Sequence, residues 1–561
     1  MRSIRAPPPQ TENLPVPSSP DLDSLRGAID DALARDDAAR ARKLLRAAAH
    51  ALALEDGVRF RALVANLPDE LWHGDLVLTT ALGTSYRSAG SPPGGAALAY
   101  LRTAERLLAS DPGLTPTEQV AVLTAHAAGL RSQGRLHDAD RKLAEAGRLL
   151  DDDDHGPAFV QQSARHALGQ GVVDLMLGRI GDARRHLEFA HGLAVHLTAP
   201  ERVECLGVLA LAAYAQGDLT ATDRLIAEIA ASEAPSRILR SGFAAGYHAA
   251  RILVTTDRYD IEGLEGLAET MTAASVHTEW EPFAQVASAY AESVGGDHIA
   301  ALDHLQLAQQ RYLGWQPPGI GLHVGNLLRA DILGILDRGD ESYELLVGLD
   351  HHEGHALCPQ RFMARLALWH GDLLGADAAL AACEELGDAH SARTLIDVRL
   401  LRSAVQLERG DLAGSDVGFD RALHAMARTG VRSPFRLVPS ALLDRLAERA
   451  LGRAEPGSEV HRILTAVRAR TQGISGGRES LSERERLVLA YVERRLTVAQ
   501  LYISPNTVKT HLRRLYRKLG VATRDEAIRK ARTLGLHLGS PGEITRESPV
   551  LRGTEPGDMV V

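Results

Sequence analysis

The residues best placed to do chemistry lie near the C-terminus, in residues 504–520, SPNTVKTHLRRLYRKLG. Ser504 is a good helix N-cap, Pro505 has its φ set for the first helical position, and Gly520 stands where a helix would end. At ~100° per residue, Val508, Leu512, Leu515 and Leu519 share a narrow stripe, whereas Asn506, Lys509, Thr510, Arg513 and Arg517 face the other way. Lys509 to Arg517 spans ~12 Å at 1.5 Å rise per residue, about the width of a major groove. The cations can therefore reach phosphates and base edges, and Thr510 and Asn506 can add short polar contacts. A solvated surface helix can carry the same charged face, so the flanking elements decide between the two readings.

Those elements are legible. Residues 481–495 open with Ser482 and Glu485 in capping-box spacing and continue with Leu487, Ala490 and Tyr491 at helical intervals. Thr497 and Gln500 form a second capping box, opening a short helix that turns at Ile503 and Ser504 into the basic helix. Thr523 and Glu526 form a third, followed by Ala527, Ile528, Ala531 and Leu534. Four helices in about sixty residues predict a compact helix-turn-helix module.

On residues 481–489 and 504–521 this module resembles the LuxR-type DNA-binding domain, with its pattern L-S-x-R-E-x-x-V-L followed by S-x-N-T-V-K-T-H-L-x-x-x-Y-x-K-L-G-V. The resemblance implies that Thr507, Val508 and Lys509 begin the recognition helix and meet the groove. It also implies that Arg513, Arg514, Arg517 and Lys518 hold backbone phosphates, and that the last helix pairs two copies. This chain departs from the pattern at residues 496–504, LTVAQLYIS, which run about four residues short of the usual scaffold helix. Four residues add only ~40° beyond a full turn, so the flanking apolar residues keep roughly their facing while the helix loses ~6 Å.

Charge is distributed as a DNA-facing terminus requires. The chain has 561 residues and a formal net charge of −9, yet residues 478–535 hold fourteen Arg or Lys against six Asp or Glu. An acidic body would be repelled by nucleic acid while the basic end is drawn to it. The composition is 45% hydrophobic and only 4% aromatic, dominated by Ala, Leu and Arg, which favours close-packed helices over sheets. Cys205, Cys358 and Cys383 are widely spaced with no paired arrangement, which suits a reducing, cytoplasmic compartment. The N-terminus lacks the apolar stretch of a signal peptide, and no run of ~18 apolar residues predicts a membrane span.

Between the Pro- and Ser-rich residues 1–20 and the C-terminal module, the sequence repeats. A glycine is followed at fixed offsets by small, large and small residues: Gly134 by Ala139, Leu143 and Ala146, Gly178 by Ala183, Leu187 and Ala190, and Gly296 by Ala301, Leu305 and Ala308. Gly371 leads to Ala376, Leu380 and Cys383, Gly410 to Ser415, Phe419 and Ala422, and an earlier copy is Ala97, Leu101 and Ala104. Small residues let a second helix sit close to the first, and the large one fills the gap between them. The period of about forty residues predicts stacked helical hairpins. Around Asp257 and Gly339 the template weakens, and degenerate and displaced copies remain open there. The region resembles the tetratricopeptide-like sensor arm of large LuxR-type regulators of the maltose-activator kind.

The expected organisation is all-α: a disordered 1–20, a tetratricopeptide-like α-solenoid over 21–450, a linker over 451–480, a four-helix helix-turn-helix domain over 481–538 and a loose tail over 539–561. No G-x-x-x-x-G-K-[S/T] stretch is present and none of the five lysines follows a glycine, so no phosphate loop, ATP site or other cofactor is expected. His351, His352, Glu353, His355 and Cys358 are metal-ligand types, but HHEGH lacks the two-residue gap of a zinc-protease helix and reads as a solvated loop. Asp151 to Asp154 read as a solvated helix end, and Cys383, in a small-residue slot, as buried. Tyr312, Trp315, Trp280 and Phe283 either fill gaps in the irregular middle of the arm or line a ligand surface. The sequence thus predicts a cytoplasmic transcriptional regulator without catalytic activity. It would bind double-stranded promoter DNA as a homodimer, with a protein or small-molecule effector on the arm. The competing reading is an interaction scaffold whose shortened module no longer binds DNA.

Overall fold

The structure, a computed structural model, describes residues 22–88, 95–150, 156–232, 234–260, 263–336, 338–349, 357–387 and 390–475. In the C-terminal segment it also describes Leu512, Arg513, Leu515, Tyr516, Val521, Thr523, Arg524 and Ala527. Every regular element among the described residues is helical. Two compact units divide the chain between Gln472 and Gly473.

The first unit begins with α1 (Leu22–Ala34), α2 (Ala38–Glu55), α3 (Gly57–Ala65), α4 (Leu76–Thr84) and α5 (Gly95–Ser110). It continues with α6 (Pro116–Ser132), α7 (Leu136–Leu149), α8 (Pro157–Met176), α9 (Ile180–Gly192), α10 (Ala199–Gln216), α11 (Leu219–Ala231) and the one-turn α12 (Ser236–Leu239). Then come α13 (Ala245–Arg258), α14 (Leu264–Ser275), α15 (Glu281–Gly295), α16 (His298–Tyr312), α17 (Ile320–Ile335) and α18 (Gly339–Val347). The unit closes with α19 (Gln360–Trp369), α20 (Leu373–Leu386), α21 (Ala392–Glu408), α22 (Leu412–Thr429), α23 (Ser440–Leu451) and all but the last three residues of α24 (Glu459–Ser475). From α6 onward the helices pair in order, α6 with α7, α8 with α9, and so on to α21 with α22.

Local chemistry builds each hairpin. The first helix ends on a residue with positive φ, a glycine at 134, 178, 217, 296, 371 and 410, because a left-handed residue folds the chain back without a Cβ clash. An aspartate then caps the returning helix in several copies: Asp37, Asp218, Asp297, Asp372 and Asp411 each accept the backbone N–H three residues on. The small, large and small residues of the repeat are all buried, Ala139, Leu143 and Ala146 at 0, 1 and 0% exposure. Polar residues in the small slots bond the facing backbone, as Ser415 Oγ does to the Ser403 carbonyl at 2.8 Å. Hairpins also stack closely. A Cβ on Gly207 of α10 would stand 2.6 Å from the Tyr247 backbone nitrogen of α13.

The structure resolves the two weak copies. At the first, Tyr259 takes the left-handed conformation with φ 60°, and the buried positions read Leu264, Ala268 and Met271, large, small and large. That copy is in place with its pattern inverted. At the second, Gly339 is not the turn, and Ser342 and Leu346 hold the buried slots two residues early. A further copy precedes them all, with Asp36 at φ 59° leading to Ala41, Leu45 and Ala48. The expected end of the repeats near residue 450 is also displaced. α24 occupies residues assigned to the linker and buries Ile463, Leu464 and Val467 in the core shared with α22 and α23. An amphipathic helix beside an uncovered core face gains more by burying those side chains than by staying solvated.

Within the first unit, segments about 180 residues apart also touch. The Gln316 backbone N–H donates to the Gly134 carbonyl at 2.9 Å, Arg237 pairs with Glu55, and Ser433 Oγ donates to Asp257 at 2.8 Å.

Candidate nucleic-acid interface and effector cavity

Among the C-terminal residues described, Leu512, Arg513, Leu515 and Tyr516 are helical. Leu515 is fully buried and Arg513 exposed, the facing that the apolar and cationic stripes require. The Val521 N–H donates to the Tyr516 carbonyl at 3.0 Å, a six-to-one bond of the kind that ends a helix in a Schellman motif. The Ala527 N–H donates to the Thr523 carbonyl at 3.0 Å, the first bond of a following helix, and Ala527 is buried. Asn506, Thr507, Val508, Lys509, Thr510, Arg514, Arg517 and Lys518 lie outside the described residues, as does the shortened stretch at 496–504.

In the first unit a cavity of about 110 Å³ opens among α8, α10, α13, α15, α17 and the segment before α17. The four aromatic residues singled out from the sequence all line it. Trp280 and Phe283 meet edge to face at 6.4 Å, and Tyr312 and Trp315 do so at 5.0 Å. Trp315 also packs on the Gly134 turn, where a Cβ would stand 2.5 Å from the indole, so these rings both fill space and bound a cavity.

Sequence reasoning missed the polar wall, because its members come from distant repeats. Asp257 accepts from Tyr214 Oη at 2.7 Å, from Ser433 Oγ at 2.8 Å and from Arg393 Nε at 2.8 Å. Burial alone would raise the Asp257 carboxyl, but the Arg393 guanidinium and the two hydroxyl donors outweigh it and hold it below the ordinary carboxylate value. Arg361 pairs with Asp397, which also receives Arg393. Arg361 and Arg393 thus line the cavity already paired, with Asp397 and Asp257 as their partners. The buried Arg361 Nε and Thr256 Oγ1 have no hydrogen-bond partner among the described residues.

A second cavity, about 220 Å³, lies among α2, α4, α6, α8 and α10. A buried ion chain joins its wall to that of the first: Arg87 to Glu204 at 2.7 Å, Glu204 to Arg131 at 2.8 Å, and Arg131 to Glu279 at 2.7 Å. Burial would raise Glu204, but Arg87 and Arg131 outweigh it and depress it. His50, lowered by burial and by Arg165, bonds Glu201 at 2.9 Å.

Two candidate metal stretches, Asp151 to Asp154 and His351 to His355, lie outside the described residues. Cys383 is buried in its repeat slot as expected. The three cysteines form no disulfide, as expected, although folding of α20 back along α19 brings Cys358 Sγ and Cys383 Sγ to 3.4 Å.

Comparison with known proteins locates the family signal at the C-terminus. Residues 479–531 match the profile described as "Bacterial regulatory proteins, luxR family". Over 55 residues, 9% of this chain, it is 47% identical to proteins of two Mycobacterium tuberculosis strains, CDC 1551 / Oshkosh and ATCC 25618 / H37Rv. Both are described as "Probable transcriptional regulatory protein NarL". The chain spans about a quarter (26%) of the length of those relatives. Among solved structures it is similar to a chain of the APC/C hetero-tetramer Cut9-Hcn1, with 13% identity, 91% of this chain and 96% of that one covered, and a TM-score of 0.36. It is also similar to the human IFIT1 dimer with PPP-AAAA, at 14% identity over 83% and 94% of the two chains with a TM-score of 0.26. No helix among the described residues is long and apolar enough to cross a membrane.

Proposed function

We propose that the chain is a DNA-binding transcriptional regulator whose helical arm receives a small-molecule effector. The luxR-family match over residues 479–531 carries the DNA-binding part, with the cationic stripe of the same segment and the description of its relatives as regulatory proteins in support. Asn506, Thr507, Lys509 and Thr510 face the groove in this reading, with Val508 among them at the start of the recognition helix but on its apolar stripe. Arg513, Arg514, Arg517 and Lys518 hold phosphates, and the helix after Thr523 pairs two copies on promoter DNA.

The aromatic cavity of the first unit supports the effector part. Flat apolar walls and two buried polar atoms without partners suit a small, largely apolar molecule carrying one or two hydrogen-bonding groups. The Asp257 carbonyl accepts the Arg432 N–H at 2.6 Å, and Arg432 pairs at 2.9 Å with Glu459, the first residue of α24. Occupation of the cavity would bear on Asp257 and, through Arg432, on the last helix of the arm. A compound that protects α13 from hydrogen exchange but leaves α24 unchanged refutes that route.

The DNA-binding part is tested with the full chain, titrated against duplex fragments of the source genome at several salt concentrations. Log affinity should fall linearly with log salt, with a slope that counts phosphate contacts. Lys509→Ala should blur preference among sites, whereas Arg517→Ala should weaken all sites about equally. Absence of duplex binding at low salt would favour an interaction scaffold with a degenerate module. Equal effects of the two substitutions would refute the assignment of groove and backbone faces.

A further inference from the structure

Cys358, just before α19, Cys383, in the last turn of α20, and His390, just before α21, converge in the interior. One potential ligand atom from each lies within 4.8 Å of the others, and all three residues are buried, at 0, 0 and 4% exposure. The two Sγ atoms are 3.4 Å apart, far beyond a disulfide bond of ~2.05 Å. That spacing is close to the edge of a tetrahedron whose metal–sulfur bonds are ~2.3 Å, about 3.8 Å. His390 is oriented as a ligand histidine would be. Its Nδ1 lies 3.2 Å from the Ser391 carbonyl, so Nδ1–H donates there and Nε2 carries the lone pair. Three donors of the soft and imidazole types select a transition metal over magnesium or calcium.

From this convergence we propose that Cys358, Cys383 and His390 bind one zinc ion that ties α19, α20 and the start of α21 together. Zinc joins two thiols and one neutral imidazole, both S–H bonds break, and two protons leave to solvent as the thiolates bind the metal. The fourth tetrahedral position is left to water or a further donor. Closing the α20–α21 connection this way would stiffen the hairpins that supply Arg361 and Arg393 to the cavity.

The test uses the full chain, expressed with added zinc and purified under reducing conditions. One zinc per chain is expected, retained in Cys205→Ala and lost in Cys358→Ser and Cys383→Ala. Cys383→Ala discriminates because the same slot holds Ala48, Ala104, Ala146, Ala190, Ala308 and Ala422 in other copies, so the fold tolerates alanine there. Its far-ultraviolet circular dichroism should match the parent's. Cobalt added to the metal-free parent should give a thiolate-to-cobalt charge-transfer band that Cys383→Ala does not give. Equal zinc in the parent and Cys383→Ala overturns the proposal, as does a parent that holds no zinc and shows no cobalt band. So does a Cys358–Cys383 disulfide, seen as a mass two hydrogens lower, in place of metal.

Discussion

Replacing Arg131 by Met would cut the ion chain at its centre. Arg131 is 2% exposed and contacts two buried carboxylates, Glu204 at 2.8 Å and Glu279 at 2.7 Å. Methionine fills comparable space, so the loss is chiefly electrostatic. Glu204 keeps Arg87 at 2.7 Å, whereas Glu279 loses its Arg131 contact. Removing one partner from a buried ion pair costs ~3–5 kcal/mol, and the retained Arg87 places Arg131→Met toward the lower end.

The pH dependence gives a sharper signature. In the parent, the Glu204 carboxyl is depressed below its ordinary value of 4.5, so its contribution is fully present above that pH and is lost only as pH falls through the lower folded value. The parent's contribution is therefore flat between about pH 7 and 5. In the variant, burial with a single arginine should raise Glu204, and protonation then favours the folded state. The stability gap should narrow as pH falls across that window. Urea titrations followed by circular dichroism measure the gap, and hydrogen exchange in α10 localises it. A loss under ~1 kcal/mol, or a gap that does not change with pH, would show that the chain is not the electrostatic unit its geometry describes.

Two further outcomes are expected. Ala183→Leu or Ala301→Leu, at residues with 0% exposure between paired helices, should destabilise the arm by ~1–3 kcal/mol through overpacking. An unchanged urea midpoint for the full chain would contradict the repeat register. Inserting Ile-Ala-Glu-Glu between Gln500 and Leu501 should raise DNA affinity if the short scaffold helix weakens the reader, and leave it unchanged or lower if the recognition helix is adapted to it. A folded insertion variant that still ignores duplex DNA would favour the scaffold reading.

The sequence by itself determined what depends on neighbours a few residues apart. Gly134, Gly178, Gly296, Gly371 and Gly410 announce left-handed turns, and the residues five, nine and twelve positions on announce the buried face, because both follow from helical geometry within one hairpin. Helical geometry likewise sets the opposite facing of Leu515, buried, and Arg513, exposed. Copies led by Asp36 and Tyr259 were not, since a non-glycine residue held left-handed by its surroundings carries no mark in the sequence.

Only the tertiary structure decided what lies between distant repeats. Asp257 meets Arg393 and Ser433, Arg131 meets Glu279, and Trp315 meets Gly134 because hairpins stacked over about 140 to 180 residues return beside earlier ones. No period in the sequence marks that return. The cumulative angle between successive hairpins sets it, and each angle depends on how closely small residues such as Gly207 let two helices approach. The convergence of Cys358, Cys383 and His390 has the same origin: a slot that the repeat requires to be small became a ligand position only when packing placed a second thiol and an imidazole beside it.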